Sequence, residues 1–274
     1  MNMRRVLSLA RKDLTEVKSN KTVWVPMLIL PLFFMVLFPL LFTVLSGQIE
    51  SSAESSKAEL QSIMVTIPAP VEALLDGRDA AQQMQIFLLG IFMAPMFLIL
   101  PLMFSSIIAA ESFAGEKERK TLESLLYTPA TDTELFLGKA LAAVTPAILI
   151  AWFSFIIYTI MVNLTSNQTM GGSWFPLPGW YPVVFWITPA AAFLGTMFTV
   201  LISARAKTFM EAYQSGGMLV FLVLGLMAGQ MTGILYLGVE VGLLVGLVVW
   251  LVDLVLLRLC IRMFKRSRWI SSAT

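Results

Sequence analysis

The sequence predicts an all-α integral membrane protein with six transmembrane helices, an N-terminal amphipathic helix at the membrane interface, and a short cytoplasmic helix between spans two and three. Of its 274 residues, 58% are hydrophobic and 13% are charged, and the mean hydropathy is +0.82. Soluble domains are about half apolar and about a quarter charged. Here the apolar residues form blocks of the roughly 20 residues that cross a bilayer as a helix. The predicted spans are residues 22–46, 86–110, 140–162, 181–203, 213–234 and 238–258.

The first element is the N-terminal segment, residues 1–21, which precedes the membrane domain of residues 22–274. Its apolar residues recur at helical spacing with basic residues between them: Met3, Val6, Leu7, Ala10, Leu14 and Val17. This pattern is typical of an amphipathic helix lying on the inner membrane surface. The alternative is a solvated helix that caps the first span, and the pattern favours the interfacial helix.

The basic residues determine the orientation of the spans. All but two of the 19 lysines and arginines, Lys57 and Arg78, fall on the side that holds both termini. Basic residues concentrate in cytoplasmic loops, so both termini are predicted to be cytoplasmic, in a multi-pass protein of the plasma or inner membrane. Two termini on one side require an even number of spans. The least certain division is 213–258, which is either two tight spans or includes a re-entrant piece.

Two segments are predicted on the outer side. Residues 47–85 form a small external helical insertion, broken by a proline-containing turn, "TIPAP", and rich in acidic residues. A solvated face is the favoured interpretation of this acidity over cation binding. The second loop carries Trp174, Phe175, Trp180 and Tyr181, which are expected in the aromatic belt of the membrane interface.

The cytoplasmic segment 111–139 is the densest run of charge between two apolar blocks. Its "GEKERKT" does not match a phosphate-binding loop, because the sixth position, which requires glycine, is Lys120. The chain has no histidine and a single cysteine, Cys260. We therefore expect no ATP binding, no catalytic constellation, no metal and no cofactor in this chain.

The spacing within this segment instead predicts two short helices. Leu122, Leu125 and Leu126 form one apolar face, and Glu116 with Lys120 forms a favourable i,i+4 pair. Pro129 ends the first helix. Thr131 and Glu134 have the spacing of a capping box, which starts a second helix through Gly138 and Lys139 into the third span. A docking surface for a soluble partner is favoured over a solvated loop.

The stretch "AESFAGEKERKTLESLLYTPATDTELFLGK" resembles the segment between spans two and three of ABC type-2 membrane permeases. The matching positions are Glu111, Gly115, the run 121–126, Pro129, and Gly138 with Lys139. One departure is that "EKERK" separates Gly115 from Thr121, whereas family members often have Gly and Thr adjacent. The long loop after span one is similar to a subgroup with an external domain there, which includes permeases associated with sodium or drug efflux.

The resemblance implies a permease subunit of an ATP-driven exporter. Such a subunit pairs with a second permease, identical or homologous, and with two copies of a separate ABC ATPase that holds ATP and Mg. The net charge of +2 gives no reason to expect a nucleic-acid partner. Residues 112–129 would be the coupling helix, seated in a groove of the ATPase. The expected ATPase-coupling residues are Glu111, Gly115, Glu116, Lys117, Glu118, Arg119, Lys120, Thr121, Leu122, Leu125, Leu126 and Pro129.

Three further features lie inside the spans. Glycines recur four apart in two series, Gly225, Gly229 and Gly233 in span five and Gly238, Gly242 and Gly246 around the start of span six, and this spacing suits close packing either within one subunit or between two. Asp253 is an intramembrane acid and hence a functional candidate, although pairing with Arg258 is the alternative. Met93 and Met96 lie at i,i+3, for which apolar packing is favoured over Cu(I) binding.

Other functions remain open from the sequence. A secondary transporter driven by an ion gradient is the main alternative, but such proteins place ionisable groups at mid-membrane, and here only Asp253 is available. A membrane enzyme is disfavoured by the absence of a catalytic cluster. A structural membrane subunit without transport is not excluded.

Overall fold

The computed structural model describes residues 3–19, 21–51, 69–119, 131–232 and 235–263. Every regular element in these ranges is a helix. Six helices are long and apolar enough to cross a membrane: Met27–Val44, Ala80–Glu118, Asp132–Met170, Trp180–Ser203, Phe209–Met231 and Val239–Met263. The prediction of an all-α protein with six spans is confirmed.

We number the helices in chain order, treating the interrupted helical runs as single elements. They are α1 (Met3–Ser19), α2 (21–51), α3 (Ala69–Leu75), α4 (Ala80–Glu118), α5 (Asp132–Met170), α6 (Trp180–Ser203), α7 (Phe209–Met231) and α8 (Val239–Met263). Within 213–258, α7 and α8 are both long and apolar enough to cross a membrane, as expected for two spans.

Helices α4 and α5 extend far beyond the predicted spans 86–110 and 140–162. Each has 39 residues, or about 58 Å at 1.5 Å per residue, nearly twice the ~30 Å hydrocarbon core. Hydropathy marks only the part of a helix that lipid surrounds, whereas capping residues set its ends. Asp79 caps α4 by accepting a hydrogen bond from the Gln82 N–H at 2.8 Å. Residues 112–118 are therefore the end of α4, not a separate surface helix.

The centre of the bundle is formed by α4, α5 and α6. The most apolar stretches of α4 and α6 are 72% buried, against 17–22% for α2, α7 and α8. Small residues let the central helices approach closely. A Cβ placed on Gly195 of α6 would collide with Ser105 of α4, and one on Gly216 of α7 would lie 2.6 Å from the Thr199 hydroxyl. Peripheral α2, α7 and α8 expose most of their apolar surface, as lipid-facing spans do.

The aromatic residues of the second outer loop do not all lie at the interface. Trp180 and Phe175 are 1% and 3% exposed and pack with Tyr158 in the core, so their assignment to the aromatic belt was wrong. Trp180 Nε1 donates to the Gly90 carbonyl at 2.6 Å. The fold turns the loop inward because the Asn163 carboxamide oxygen accepts hydrogen bonds from the backbone N–H groups of residues 174 and 175.

On the outer side, the described part of the predicted insertion 47–85 is helical. The first-span helix runs to residue 51. Helix α3 begins directly after the Pro68 position, with Val71 and Leu75 buried against the core. Residues 52–68 lie outside the described part of the chain. The prediction of short helices around the proline turn stays a prediction for those residues.

Candidate functional site

The charged residues at the ends of α1, α4 and α5 form a compact group, which we call the charge cluster. Its members are Asp13, Glu111, Glu116, Lys117, Glu118, Arg119 and Lys139. The predicted site residues Lys120, Thr121, Leu122, Leu125, Leu126 and Pro129 lie outside the described residues. The structure thus describes the α4 half of the predicted coupling segment and the capped start of α5.

Lys139 is at the centre of the cluster, with its side chain 2% exposed. Its Nζ lies 2.7 Å from Glu116 Oε1 and 3.3 Å from Asp13 Oδ2. It also donates a hydrogen bond to the Ser112 carbonyl at 2.9 Å. Burial strengthens charge-assisted hydrogen bonds and makes an unpaired partner costly. One ammonium group therefore ties α5 to both α1 and α4.

Helix α1 lies directly on the start of α5. Val6, Ala10 and Asp13 are buried on this face, while Met3 and Leu7 are more than half exposed. Gly138 permits the contact, because an added Cβ would lie 2.9 Å from the Leu9 Cβ. The two exposed residues leave an apolar edge on α1, and the predicted position of this helix at the membrane interface stays a prediction.

A second ion pair spans the last turns of α4. Arg119 Nη1 donates to Glu111 Oε1 at 2.7 Å across the π-helical turn Glu111–Gly115. Gly115 makes room for this pair, since a Cβ there would lie 3.0 Å from Glu111 Oε2 and 3.3 Å from Arg119 Nη1. The glycine and the acid of the sequence motif therefore act together in packing the end of α4.

The end of α4 also holds the loop between α6 and α7. Lys117 Nζ donates to the carbonyls of Ala204 and Ala206 at 3.3 and 3.2 Å, just past the C-terminus of α6. Glu118 Oε2 accepts the Phe209 N–H at 2.8 Å, at the N-terminus of α7. A cation at a helix C-terminus and an anion at a helix N-terminus complement both helix dipoles.

The predicted capping box at the start of α5 is confirmed. Thr131 Oγ1 accepts the Glu134 N–H at 3.3 Å, and Glu134 Oε2 accepts the Thr131 N–H at 3.1 Å. The helix continues through Gly138 and Lys139 into the third span. The capped start of α5 and the third span therefore belong to one continuous helix.

The exposure of the predicted coupling residues is uneven. Glu111, Gly115 and Glu116 are buried, Lys117 is half-buried, and Glu118 and Arg119 are exposed. Sequence reasoning placed Glu116 on a docking surface with Lys120, whereas the structure pairs it with Lys139. It missed Asp13 altogether. The available signal was the spacing of this acid, three residues after Ala10 and seven after Val6, which places a charge on the apolar face of α1.

The glycine series is divided between two roles. Gly242 and Gly246 of α8 face α6, where added Cβ atoms would meet Pro182 at 2.9 Å and collide with Trp186. Their packing is therefore within the chain. Among the described residues, a Cβ added to Gly229 would meet only Leu235, and one added to Gly238 only Tyr236, within 4 Å. Gly225 is exposed and a Cβ there would meet nothing within 4 Å. Gly233 lies outside the described residues.

Asp253 does not pair with Arg258. Its side chain is 4% exposed, and neither carboxylate oxygen has a hydrogen-bond partner in the described part of the chain. Arg258 is exposed. Met93 and Met96 border a small apolar cavity with aromatic neighbours that include Phe97, Tyr158 and Trp180, as expected for apolar packing.

Comparisons with known proteins agree with this architecture. A family model described as "ABC-2 family transporter protein" matches residues 7–242, which include most of α1, the charge cluster and the first five spans. No curated protein and no solved structure matches the chain. The chain therefore belongs to the ABC-2 transporter family and is a multi-pass membrane permease subunit of an ABC transporter.

Proposed function

We propose that this chain is the permease half of an ATP-driven exporter in which segment 111–139 receives movement from a separate ATPase subunit. Family membership implies an ABC ATPase partner in a membrane context. The finer assignment rests on one observation. The charge cluster connects α1, the end of α4, the start of α5 and the α6–α7 loop. Its α4 and α5 members flank the segment 120–130 in the sequence.

The cluster suits the transmission of force. Lys139 links three helices through buried charge-assisted contacts, and Lys117 and Glu118 attach the ends of two more. A push on the segment between α4 and α5 would then move α4, α5 and α6 together rather than bend one loop. These are the three helices that form the centre of the bundle, so their displacement would open or close a path through it.

The exposed members of the cluster are the ones available to a partner. Glu118 and Arg119 lie at the exposed end of α4, next to the leucine-bearing residues 120–130. In this proposal the cluster is cytoplasmic, as the distribution of basic residues predicts. ATP and Mg are held by the two ATPase copies, and a second permease completes the transport path. The direction is export by family analogy alone.

The decisive experiment is to purify the complex in mild detergent and identify its partners. A soluble ATPase with a phosphate-binding loop should co-purify, and transport by the reconstituted complex should require ATP. Double variants Lys120→Glu/Glu123→Lys and Leu122→Ser/Leu125→Ser should lose the ATPase or uncouple hydrolysis from transport. They spare the buried Lys139 network, so the spans should still insert. A matched control is Glu240→Lys, an exposed charge at the opposite end of the bundle.

Two outcomes would contradict the proposal. One is a purified protein with no ATPase partner and no response to ATP. The other is unchanged assembly and transport in both double variants, which would leave the segment an ordinary connection between spans.

An ion-gradient transporter is the second candidate, and buried Asp253 is the observation that favours it, since ionisable groups within membrane spans are commonly functional. The two functions are separated by reconstituting the chain alone in vesicles. Uptake driven by an ion gradient without ATP or a partner would favour the secondary transporter, and its absence would favour the ABC permease.

A further inference from the structure

We propose that Asp253 and the aromatic rings beside it bind a hydrophobic ammonium cation between the fourth and sixth spans. This inference names a cargo class and rests on the permease function proposed above. It uses a buried acid that the charge cluster does not involve and that lies on a different part of the bundle.

The first argument is the unsatisfied chemistry of this position. Asp253 is 4% exposed, and both its oxygens are without a partner among the described residues. The indole N–H of Trp250, one turn earlier on the same face, is also buried without an acceptor there. Buried polar groups are normally paired, and an acid within a membrane span is costly without a partner. A bound cation supplies the missing counter-charge.

The second argument is the aromatic lining. The Trp250 ring lies 5.5 Å from Phe193 and 5.9 Å from Trp186, measured between ring centroids. Aromatic faces attract cations, Trp most strongly, and cages of such rings recognise quaternary ammonium ligands. A single carboxylate with an adjoining aromatic group combines the charge and the apolar contact that an alkylated ammonium requires.

The geometry places Asp253 inside a helix seam. Helices α6 and α8 run parallel: Gly242 lies opposite Pro182, Gly246 opposite Trp186, and Cys260 Sγ donates to the Met197 carbonyl at 3.5 Å. Asp253 follows Trp250 and precedes Cys260 on this face, so it lies between the levels of Phe193 and Met197. The acid is therefore directed at α6 and away from lipid.

A metal ion is a poorer fit to this position. Ca²⁺ takes six to eight oxygen ligands and Mg²⁺ requires near-octahedral coordination. Asp253 contributes two oxygens, and the described residues hold no group of three or more His, Cys, Asp or Glu that could bind a metal. A large, weakly hydrated organic cation needs no such oxygen shell.

A ligand dissolved in the membrane could reach the seam between α6 and α8 by displacing α8. The main contacts of α8 are with α6 alone, and only 17% of its most apolar stretch is buried. Separating α8 from α6 therefore opens Asp253 to the membrane without breaking the α4–α5–α6 centre. A hydrophobic cation already dissolved in the bilayer could enter by this route.

The test uses the purified full-length chain in detergent, with tetrabutylammonium as the probe. Dicyclohexylcarbodiimide, an apolar reagent for buried carboxyl groups, should modify Asp253, as read by mass spectrometry. Tetrabutylammonium should protect Asp253 in a concentration-dependent way, and its uncharged carbon analogue should not. Binding followed by tryptophan fluorescence should weaken at least about tenfold in Asp253→Asn and about 2- to 30-fold in Trp250→Leu. Glu240→Gln, on the same helix but exposed, should bind as the wild type does.

Equal protection by the charged and uncharged probes, or unchanged binding by Asp253→Asn, would overturn the inference. Protection is measured on the wild-type chain, so it stands even where a variant fails to fold. Neither measurement involves an ATPase. If the chain binds no cation but still takes part in ATP-coupled transport, only the proposed cation site is disproved. If the chain binds the cation but has no ATPase partner, only the proposed ABC function is disproved.

Discussion

At the scale of single residues, Lys139 determines how the charge cluster holds together. The sequence presents it as one of many basic residues near the start of a span. In the fold its ammonium group is buried between two carboxylates from distant parts of the chain, Asp13 and Glu116. Gly115 and Gly138 have a comparable role, because each leaves the space in which a charged pair or a helix contact forms.

Replacing this ammonium tests the cluster. Lys139→Met should lower the free energy of unfolding by roughly 3–5 kcal/mol, because it removes the buried ammonium from Asp13 and Glu116. Glu116 then keeps the longer contact to Lys12, at 3.8 Å. Adding Asp13→Asn and Glu116→Gln to the same chain should recover part of this loss. Thermal unfolding in detergent measures both. The exposed Lys207→Met is the control, expected to stay within about 0.5 kcal/mol. A loss no larger than the control's would show that the pairs contribute little.

At the scale of elements, the lengths of helices determine which residues meet. Helices α4 and α5 continue well beyond the bilayer, and these extensions carry every buried charge of the cluster except Asp13. Helix α8 has the opposite character: it packs against α6 through Gly242 and Gly246 and leaves its other faces exposed. The same glycine spacing on α7 leaves Gly225 facing outward.

The two glycine positions predict different outcomes for one substitution. Gly246→Leu should separate α8 from α6 and lower the thermal stability, because the new side chain collides with Trp186 and Ile187. Gly225→Leu should leave the stability of the single chain nearly unchanged, since its surroundings are open. Size-exclusion chromatography with light scattering then reports self-association. A lower dimer fraction only in Gly225→Leu would place a second permease against α7, and equal destabilisation by both would contradict the packing described.

At the scale of the whole molecule, the basic residues and the even number of spans predict that both termini and the charge cluster share one side of the membrane. The aromatic end, with Trp180 and the loop 171–179, lies on the other. The fold is consistent with this arrangement, because the charge cluster and the aromatic core lie at opposite ends of α4 and α5.

Cysteine labelling in intact cells tests the orientation. The native Cys260 is 1% exposed, so background labelling should be low. Ser173→Cys should react with a membrane-impermeant maleimide from outside, and Lys207→Cys should react only after the membrane is opened. The reverse pattern would invert the topology and place the cluster away from any cytoplasmic ATPase.

The sequence by itself determined the class, the number of spans and the capped start of α5. These depend on hydropathy and on spacings of a few residues, which act within one stretch of chain. It did not determine the partners of Lys139, the burial of Glu116 and Trp180, or the isolation of Asp253. Those depend on contacts between residues up to 126 positions apart, as for Asp13 and Lys139. Only the packing of α1, α4, α5, α6 and α8 decides which of the described charges are paired and which, such as Asp253, have no partner among the described residues.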